Sequence, residues 1–597
     1  MSSAKPRSRT PTRAAWRLGL AIVALLVLAM LYGLASPGLS GHGELPTNRS
    51  LRIGITQEFE SLNPLIAQMS ATFYLYNMVN RTLVTVDENT EFKTQLAVQM
   101  PTLENGLARF VEIDGVRKLE ADWEILPGAT WGDGVPVTCR DLELSWEVAQ
   151  SPHVSIASVE LYREVERIQI DPENPKRCTF LYREPKRLFN RQFQFYLLPA
   201  HLERPVFEKY GDQPEGYEKH TLYTTDPTNP GLYHGPYRIR EVKLGSHVAF
   251  ERNPTFYGEP PHIDRIVVVL IPNTGTLEAN LRSGSIDMVS TLGMSFDQAL
   301  AFARRVEAEG LPFNVNFRPS MMYEHIDLDL DEPVLQDVRV RRALVHAIDR
   351  QRLTDALFEG EQPPALHFVS PADRWYTEDS EKLVIYEPSR RRAASLLEEA
   401  GWTLRDDGFR YDAEGNRLRL RLSTTAGNKM REIVLVYLQD QWRAIGIDAR
   451  IQNEPARSFF GQATRKRLFD GAAMYAWTQS PEFSPRSTLH SADIPAEENG
   501  WSGQNSPGWA NPRVDRLIDE LEAEFDADRR LEVIHEIMWH YTSDVPVIPL
   551  YYRSNTSVTP ANMTGYRLTA TQVSATDHVE RWSLEPVQAP PPRETRP

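Results

Sequence analysis

The sequence predicts an α/β protein of two or more lobes, and three observations predict it. At 597 residues the chain is too long for one hydrophobic core. Short apolar runs of strand length alternate with apolar stripes at helical spacing along most of its length. Its composition, 41% hydrophobic and 25% charged, is that of an ordinary folded chain in water.

The elements follow in order. Leu51–Thr56 (LRIGIT) alternates with period two, as a half-buried strand does. Ile266–Ile271 (IVVVLI) is apolar throughout, which fits a strand covered on both faces. Residues 338–358 place Val340, Leu344, Ala347 and Ile348 at helical spacing. A second helix is expected over 388–400, with Pro388 in its first turn and Gly401 as its C-terminal cap. A third is expected over 430–445, with Ile433, Val434, Tyr437 and Leu438 as its apolar stripe. Gly446 stops it, and Ile447–Ile451 reads as a strand. Residues 529–541 read as helix and Val545–Tyr552 as strand. No 20–50-residue repeat is present.

The N-terminus indicates a compartment. Residues 18–35 (LGLAIVALLVLAMLYGLA) carry no charge, and Lys5, Arg7, Arg9, Arg13 and Arg17 precede them. A run near 20 apolar residues spans a bilayer, and the basic flank puts residues 1–17 in the cytoplasm and the body outside it. An uncleaved inner-membrane anchor and a cleaved signal peptide both satisfy this pattern; Gly33 and Ala35 offer small residues for cleavage. Either way the body is periplasmic or extracytoplasmic. No cysteine follows the run, so a lipid anchor there is excluded. Residues 36–50 read as a linker and 588–597 as a disordered tail.

Composition also narrows the chemistry. The net charge of −15 excludes nucleic acid and anionic lipid as main partners. Cys139 and Cys178 fit no zinc or redox spacing; they either pair in an oxidising compartment or remain buried thiols. No Gly-x-Ser-x-Gly, phosphate-binding loop or dinucleotide fingerprint occurs. His535 and His540 are five apart rather than four, off a common helical face. Asp327, Asp329 and Asp331 begin like a calcium loop, but Glu332 and Val338 stand where Gly and Glu are needed. No catalytic residue, metal site or cofactor is therefore expected.

Seven segments in order carry a resemblance. They are Ser61-Leu62-Asn63-Pro64, Pro127–Asp141 (PGATWGDGVPVTCRD), Gly235-Pro236-Tyr237 with Glu251–Tyr257 (ERNPTFY), Leu281–Asp287 (LRSGSID), Asp337–Asp349 (DVRVRRALVHAID), Glu398–Trp402 (EEAGW) and Ile445-Gly446-Ile447. Together, across roughly residues 51–560, they resemble the peptide/nickel-type extracytoplasmic solute-binding proteins of ABC importers. Taken by themselves most are scaffold: Trp131-Gly132-Asp133-Gly134 is a turn, and Asn253-Pro254 starts another.

The resemblance implies a type II periplasmic-binding-protein clamshell. Its first lobe would span 51–327 with an extra subdomain at about 85–215, and its second lobe 328–546. Residues 547–587 would return to the first lobe. Two hinge crossings are expected near 322–328 and 546–551. The implied function is capture of a peptide or other small solute by a monomeric subunit. It would hand the solute to membrane permease subunits driven by a separate ATPase. A membrane-anchored peptide sensor or chaperone module is the alternative with the same fold.

The ligand residues are expected on several segments. Met474–Pro485 (MYAWTQSPEFSP) resembles the family's Trp-x-x-Asp-Tyr-x-x-Pro binding loop, which brings in Tyr475, Trp477 and Thr478. The family aspartate, which pairs with a ligand's α-ammonium group, falls at Ser480, and a hydroxyl cannot neutralise a buried charge. Either Glu482 takes over or the ligand lacks an ammonium group there. Gln68, Met69 and Ser70 resemble a second contact segment, and Arg457 a cleft-wall position. Tyr323 and Glu324 beside the first crossing either face the cleft or brace the strand. Trp501 lies in a Gly/Ser/Pro-rich loop and is a further candidate.

Overall fold

A computed structural model describes residues 47–586, apart from 60, 67–68, 155, 157–159, 500 and 572–573. The apolar run 18–35, most of the linker and the tail at 588–597 lie outside the described residues. Among those described, no helix is long and apolar enough to cross a membrane.

Ten strands form one mixed sheet: β1 Ser50–Ile55, β2 Tyr237–Lys243, β3 His247–Arg252, β4 Arg265–Leu270, β5 Met288–Val289, β6 Phe313–Leu328, β7 Arg419–Ser423, β8 Asp448–Ile451, β9 Gly471–Thr478 and β10 Val547–Pro560. Their spatial order is β8-β7-β9-β6-β10-β5-β1-β4-β3-β2. At the centre β6 and β10 pair antiparallel almost end to end. On one side lie β9, β7 and β8; on the other lie β5 and β1 to β4. The molecule is thus a two-lobed α/β clamshell, and the chain crosses between lobes twice, once in each central strand. Parallel pairing of β1 with β4 and β5, and of β7 with β8 and β9, buries both inner strands. In β4 only Ile266 and Val268 are fully buried while Val267 and Val269 are half-buried, so its apolar run is covered completely on one face and not on both as expected.

A second, four-stranded antiparallel sheet packs Ala108–Ile113, Val116–Glu124, Arg177–Tyr182 and Val165–Ile170 in that order. Cys139 and Cys178 are joined there by a disulfide, with Cα atoms 6.1 Å apart, which decides between the two thiol readings. The recurrent motifs are indeed scaffold. In the WGDG turn the Trp131 N–H donates to Val135 O at 2.7 Å. A Cβ on Gly132 would meet Pro230 O at 2.5 Å. The Asn253 amide donates to Gly235 O at 2.9 Å, tying two motifs together.

Several elements differ from expectation for local reasons. The helix expected over 338–358 is two, Val338–His346 and Arg350–Phe358. The break falls where the Asp349 side chain accepts from Arg352 N and caps the second helix. The next helix starts at Arg390, capped by Ser389, so Pro388 precedes the cap instead of sitting in the first turn. Gly401 follows its end at φ 93°. In the helix Lys429–Arg443 the buried stripe is Val434, Leu435, Leu438 and Trp442, and Ile433 is exposed. Trp442 sets that rotation, fully buried with its indole N–H on Leu344 O at 3.1 Å. The last crossing strand runs to Pro560 because it must pair with the whole of β6.

Candidate functional site

The site begins at an irregularity in the crossing strands. The β6–β10 register shifts between Pro319 and Tyr323, where three residues of β6 face only Arg553 of β10. Such a bulge releases side chains from the ladder and re-aims them. Ser320, Met321 and Met322 all line a cavity of about 340 Å³ between the lobes, within the size range of small-ligand pockets. The bulge is pinned by the Ser320 hydroxyl, which donates to Arg553 O at 2.8 Å, and by Gln479 N–H on Met321 O at 2.8 Å.

The rest of the wall comes from five other segments. Helix α1 (Ser70–Val79) supplies Ser70, Phe73 and Asn77, and the chain after it Thr82, Thr85 and Val86. Phe193, Gln194 and Tyr196 come from the segment after the four-stranded sheet. Tyr196 stacks on Phe73 at 5.4 Å and meets the edge of Tyr76 at 4.9 Å, giving a stiff aromatic wall. The end of β9 contributes Thr478, Gln479, Ser480 and Pro481. Asn555 of β10, then Ala570, Thr571 and Asp577 from the C-terminal segment, close it.

The structure therefore brings Ser70, Thr478 and Ser480 together on one cavity. Met69 caps the start of α1 beside it and is 40% exposed. Gln68 lies outside the described residues, and Arg457 stands in the short helix Ala456–Ser458. The remaining candidates are elsewhere. Glu324 is buried and gripped by Arg431, with Nε at 3.0 Å and Nη2 at 3.1 Å, so it braces β6 against the helix α2 (Lys429–Arg443). Tyr323, Tyr475 and Trp477 surround fully buried His325, with ring centroids 4.8, 4.5 and 6.4 Å away. The Tyr475 hydroxyl donates to Asp327, whose other oxygen is 3.4 Å from His325 Nε2. Trp501 packs under Lys466 Nζ at 5.7 Å, away from the cavity-lining set.

Glu482 turns from the cavity into a nest of arginines. It is 1% exposed, at φ 52°. Its carboxylate lies 3.3 Å from Arg191, 3.5 Å from Arg374 and 3.7 Å from Arg530. Arg187 donates to its carbonyl at 2.9 Å, and its N–H donates to Asp373 at 2.9 Å. Burial pushes Asp373 up to about 6 and Arg187 down to about 10. Thr90 Oγ1–H on Ala372 O at 2.7 Å and Phe110 against Phe525 at 5.3 Å add further contacts between the two lobes.

Asp577 is a site residue that the motifs did not reveal. Thr85 Oγ1–H donates to its carboxylate. Burial raises it to about 6, against the opposing pull of Thr85, Arg81 and His578. It follows a stretch of small and polar residues, ATQVSAT, with no pattern that marks a binding group.

A cavity between two lobes, walled by aromatic, methionine, amide and hydroxyl groups, defines a binding protein of the clamshell class. The chain belongs to the bacterial extracellular solute-binding proteins, family 5, whose middle-region model matches residues 118–495. It is 23% identical to the oligopeptide-binding protein AppA of Bacillus subtilis over 551 residues, 91% of this chain and 94% of that one. It is 24% identical to the nickel-binding periplasmic protein of Escherichia coli over 323 residues, 54% and 59% of the two chains. Among solved structures, the Thermus thermophilus oligopeptide-binding protein complexed with a pentapeptide is 25% identical. It superposes with a TM-score of 0.61 over 90% of this chain and 96% of that one. The Listeria monocytogenes ABC transporter substrate-binding protein CtaP, 18% identical with a TM-score of 0.70, shares the fold over 90% and 100%.

Proposed function

We propose that this solute-binding protein captures a peptide-like solute outside the cytoplasm and delivers it to the permease of an ABC importer. The observation that carries the reading is the cavity at the β6 bulge, where both lobes and a crossing strand meet. A solute there is desolvated by closure, so its binding free energy is coupled to the closed form. The permease would recognise that form, and a separate ATPase would supply the energy. Residues 18–35 direct the body across the membrane, as a cleaved signal or as an anchor. The body works as a monomer, with its second lobe at 328–546 and its extra subdomain at about 85–215. The binding set comprises Ser70, Thr478 and Ser480 from the motif segments, joined by Phe73, Tyr196, Asn555 and Asp577.

The test is thermal unfolding and small-angle scattering with a panel of di- to nonapeptides. A bound peptide at 100 times its Kd raises stability by about 2.7 kcal/mol and lowers the radius of gyration of any open form. No shift with any peptide, and none with oligosaccharides or metal chelates, would remove the reading.

A further inference from the structure

Asp577 is the one carboxylate among the described residues that line the cavity, and Tyr196 is the other titratable group there. All its other walls are hydroxyl, amide, thioether, aromatic or aliphatic groups. Among the described residues, no Lys, Arg or His lines the space. Arg81 exerts the larger opposing pull, ahead of His578, but its guanidinium is held by Glu580 at 2.6 Å and stands over Phe256 at 5.7 Å. That pair keeps Glu580 at about 2 despite its burial. Asp577 is left with a neutral hydroxyl, Thr85, as its direct partner. His578 and Glu580 also act on it, and it in turn raises Tyr196.

Such a carboxylate is costly to leave in place unless a cation comes to it. The cation cannot be supplied by Ser480, which offers only a dipole from the opposite lobe. A ligand carboxylate entering the same space would meet no basic partner and would be repelled by Asp577. Phe73 and Tyr196 add aromatic area to the wall, which suits an apolar body.

From this we infer that Asp577 is the counter-charge of the bound solute, and that the cavity takes a monocationic amine with an apolar body in preference to a zwitterion. The position vacated at Ser480 is thereby served from another part of the chain, across the same cavity. The inference rests on the proposed role as a solute-binding subunit and names the chemistry of its ligand.

The experiment is calorimetric titration of the full chain with three probes. They are Phe-Ala amide with a free amine, the same amide N-acetylated, and Phe-Ala with a free carboxylate. The free-amine amide is expected to bind at least about tenfold tighter than either other probe, a difference of about 1.4 kcal/mol. Asp577→Asn is expected to abolish the preference for the free amine while leaving the fold intact by circular dichroism. Ser480→Asp placed in Asp577→Asn should restore it, which a purely structural role for Asp577 would not allow. Equal binding of the amine and its acetylated form overturns the inference, as does a preference that survives Asp577→Asn. So does binding of longer or neutral solutes alone, which leaves the transport reading standing. Failure of every solute class removes that reading as well.

Discussion

Two buried carboxylates, Glu482 and Asp577, lie at opposite extremes of electrostatic company. Glu482 has three guanidiniums within 4 Å of its carboxylate and a fourth on its carbonyl. Asp577 has a threonine hydroxyl. The first arrangement is self-contained: Arg187 and Arg191 come from one lobe, Arg374 and Arg530 from the other, and one anion ties them across the lobe contact. The second is incomplete, and it faces the cavity. A buried charge that is already paired holds structure together, whereas one left short of a partner is available to a ligand.

The comparison breaks most visibly at Glu482. Removing the shared anion leaves four arginines crowded in a dry site. Glu482→Ala is therefore expected to cost about 3–5 kcal/mol of unfolding free energy in urea, with the amine preference of the cavity preserved in whatever protein remains folded. A loss below about 1 kcal/mol would mean the nest is solvated and holds nothing.

Next in size is the disulfide. Cys139→Ser with Cys178→Ser should cost about 2–4 kcal/mol in the same assay. Cys178 lies in the strand that precedes Arg187 and Arg191, so this change loosens the nest from its base. The Asp577 side is joined to other segments, and Kd for a bound solute should move less than stability does.

The pH dependence sharpens the contrast. The folded pKa of Asp577, about 6, lies above the ordinary 3.8. The folded state therefore holds that proton more tightly than the unfolded state. Its contribution to stability is present below about pH 4 and is lost as pH rises through about 6. Asp577→Asn should gain roughly 1–3 kcal/mol over the parent across that window and run parallel to it above. Asp141, Asp329 and Asp373, also raised to about 6 by burial, are common to both proteins and cancel. Parallel curves throughout would show that Asp577 is solvated. The smallest effect is expected at Phe73→Ala, which should weaken a bound solute by about 1–2 kcal/mol through lost apolar contact, read by titration.

Much of the fold was legible along the chain, because its signals are local. Period-two and continuous apolar runs mark β1 and β4, and the turn and cap residues of WGDG and Ala400-Gly401-Trp402 mark where elements end. The structure departs from these local signals where a distant partner decides. Trp442, packed onto Leu344 O, turned the apolar face of its helix by one position. The second half of β10 was visible only through its pairing with β6.

The site was legible in part for the same reason. The loop after Trp477 announced itself by order and composition, and Ser480 does line the cavity. Tyr475 and Glu324 carry equally suggestive side chains, but strand pleating sends them to a histidine cluster and to Arg431. Glu482 itself sits at positive φ, which swings it into the arginine nest.

By itself the sequence determined the family scaffold, the alternation of strands and helices and the absence of an aspartate at Ser480, since each is a matter of residue type and spacing. Only the tertiary structure decided which carboxylate faces the cavity. Asp577 and Ser480 are nearly a hundred residues apart. Whether a charge is paired or left waiting depends on neighbours that the chain brings together only when it folds.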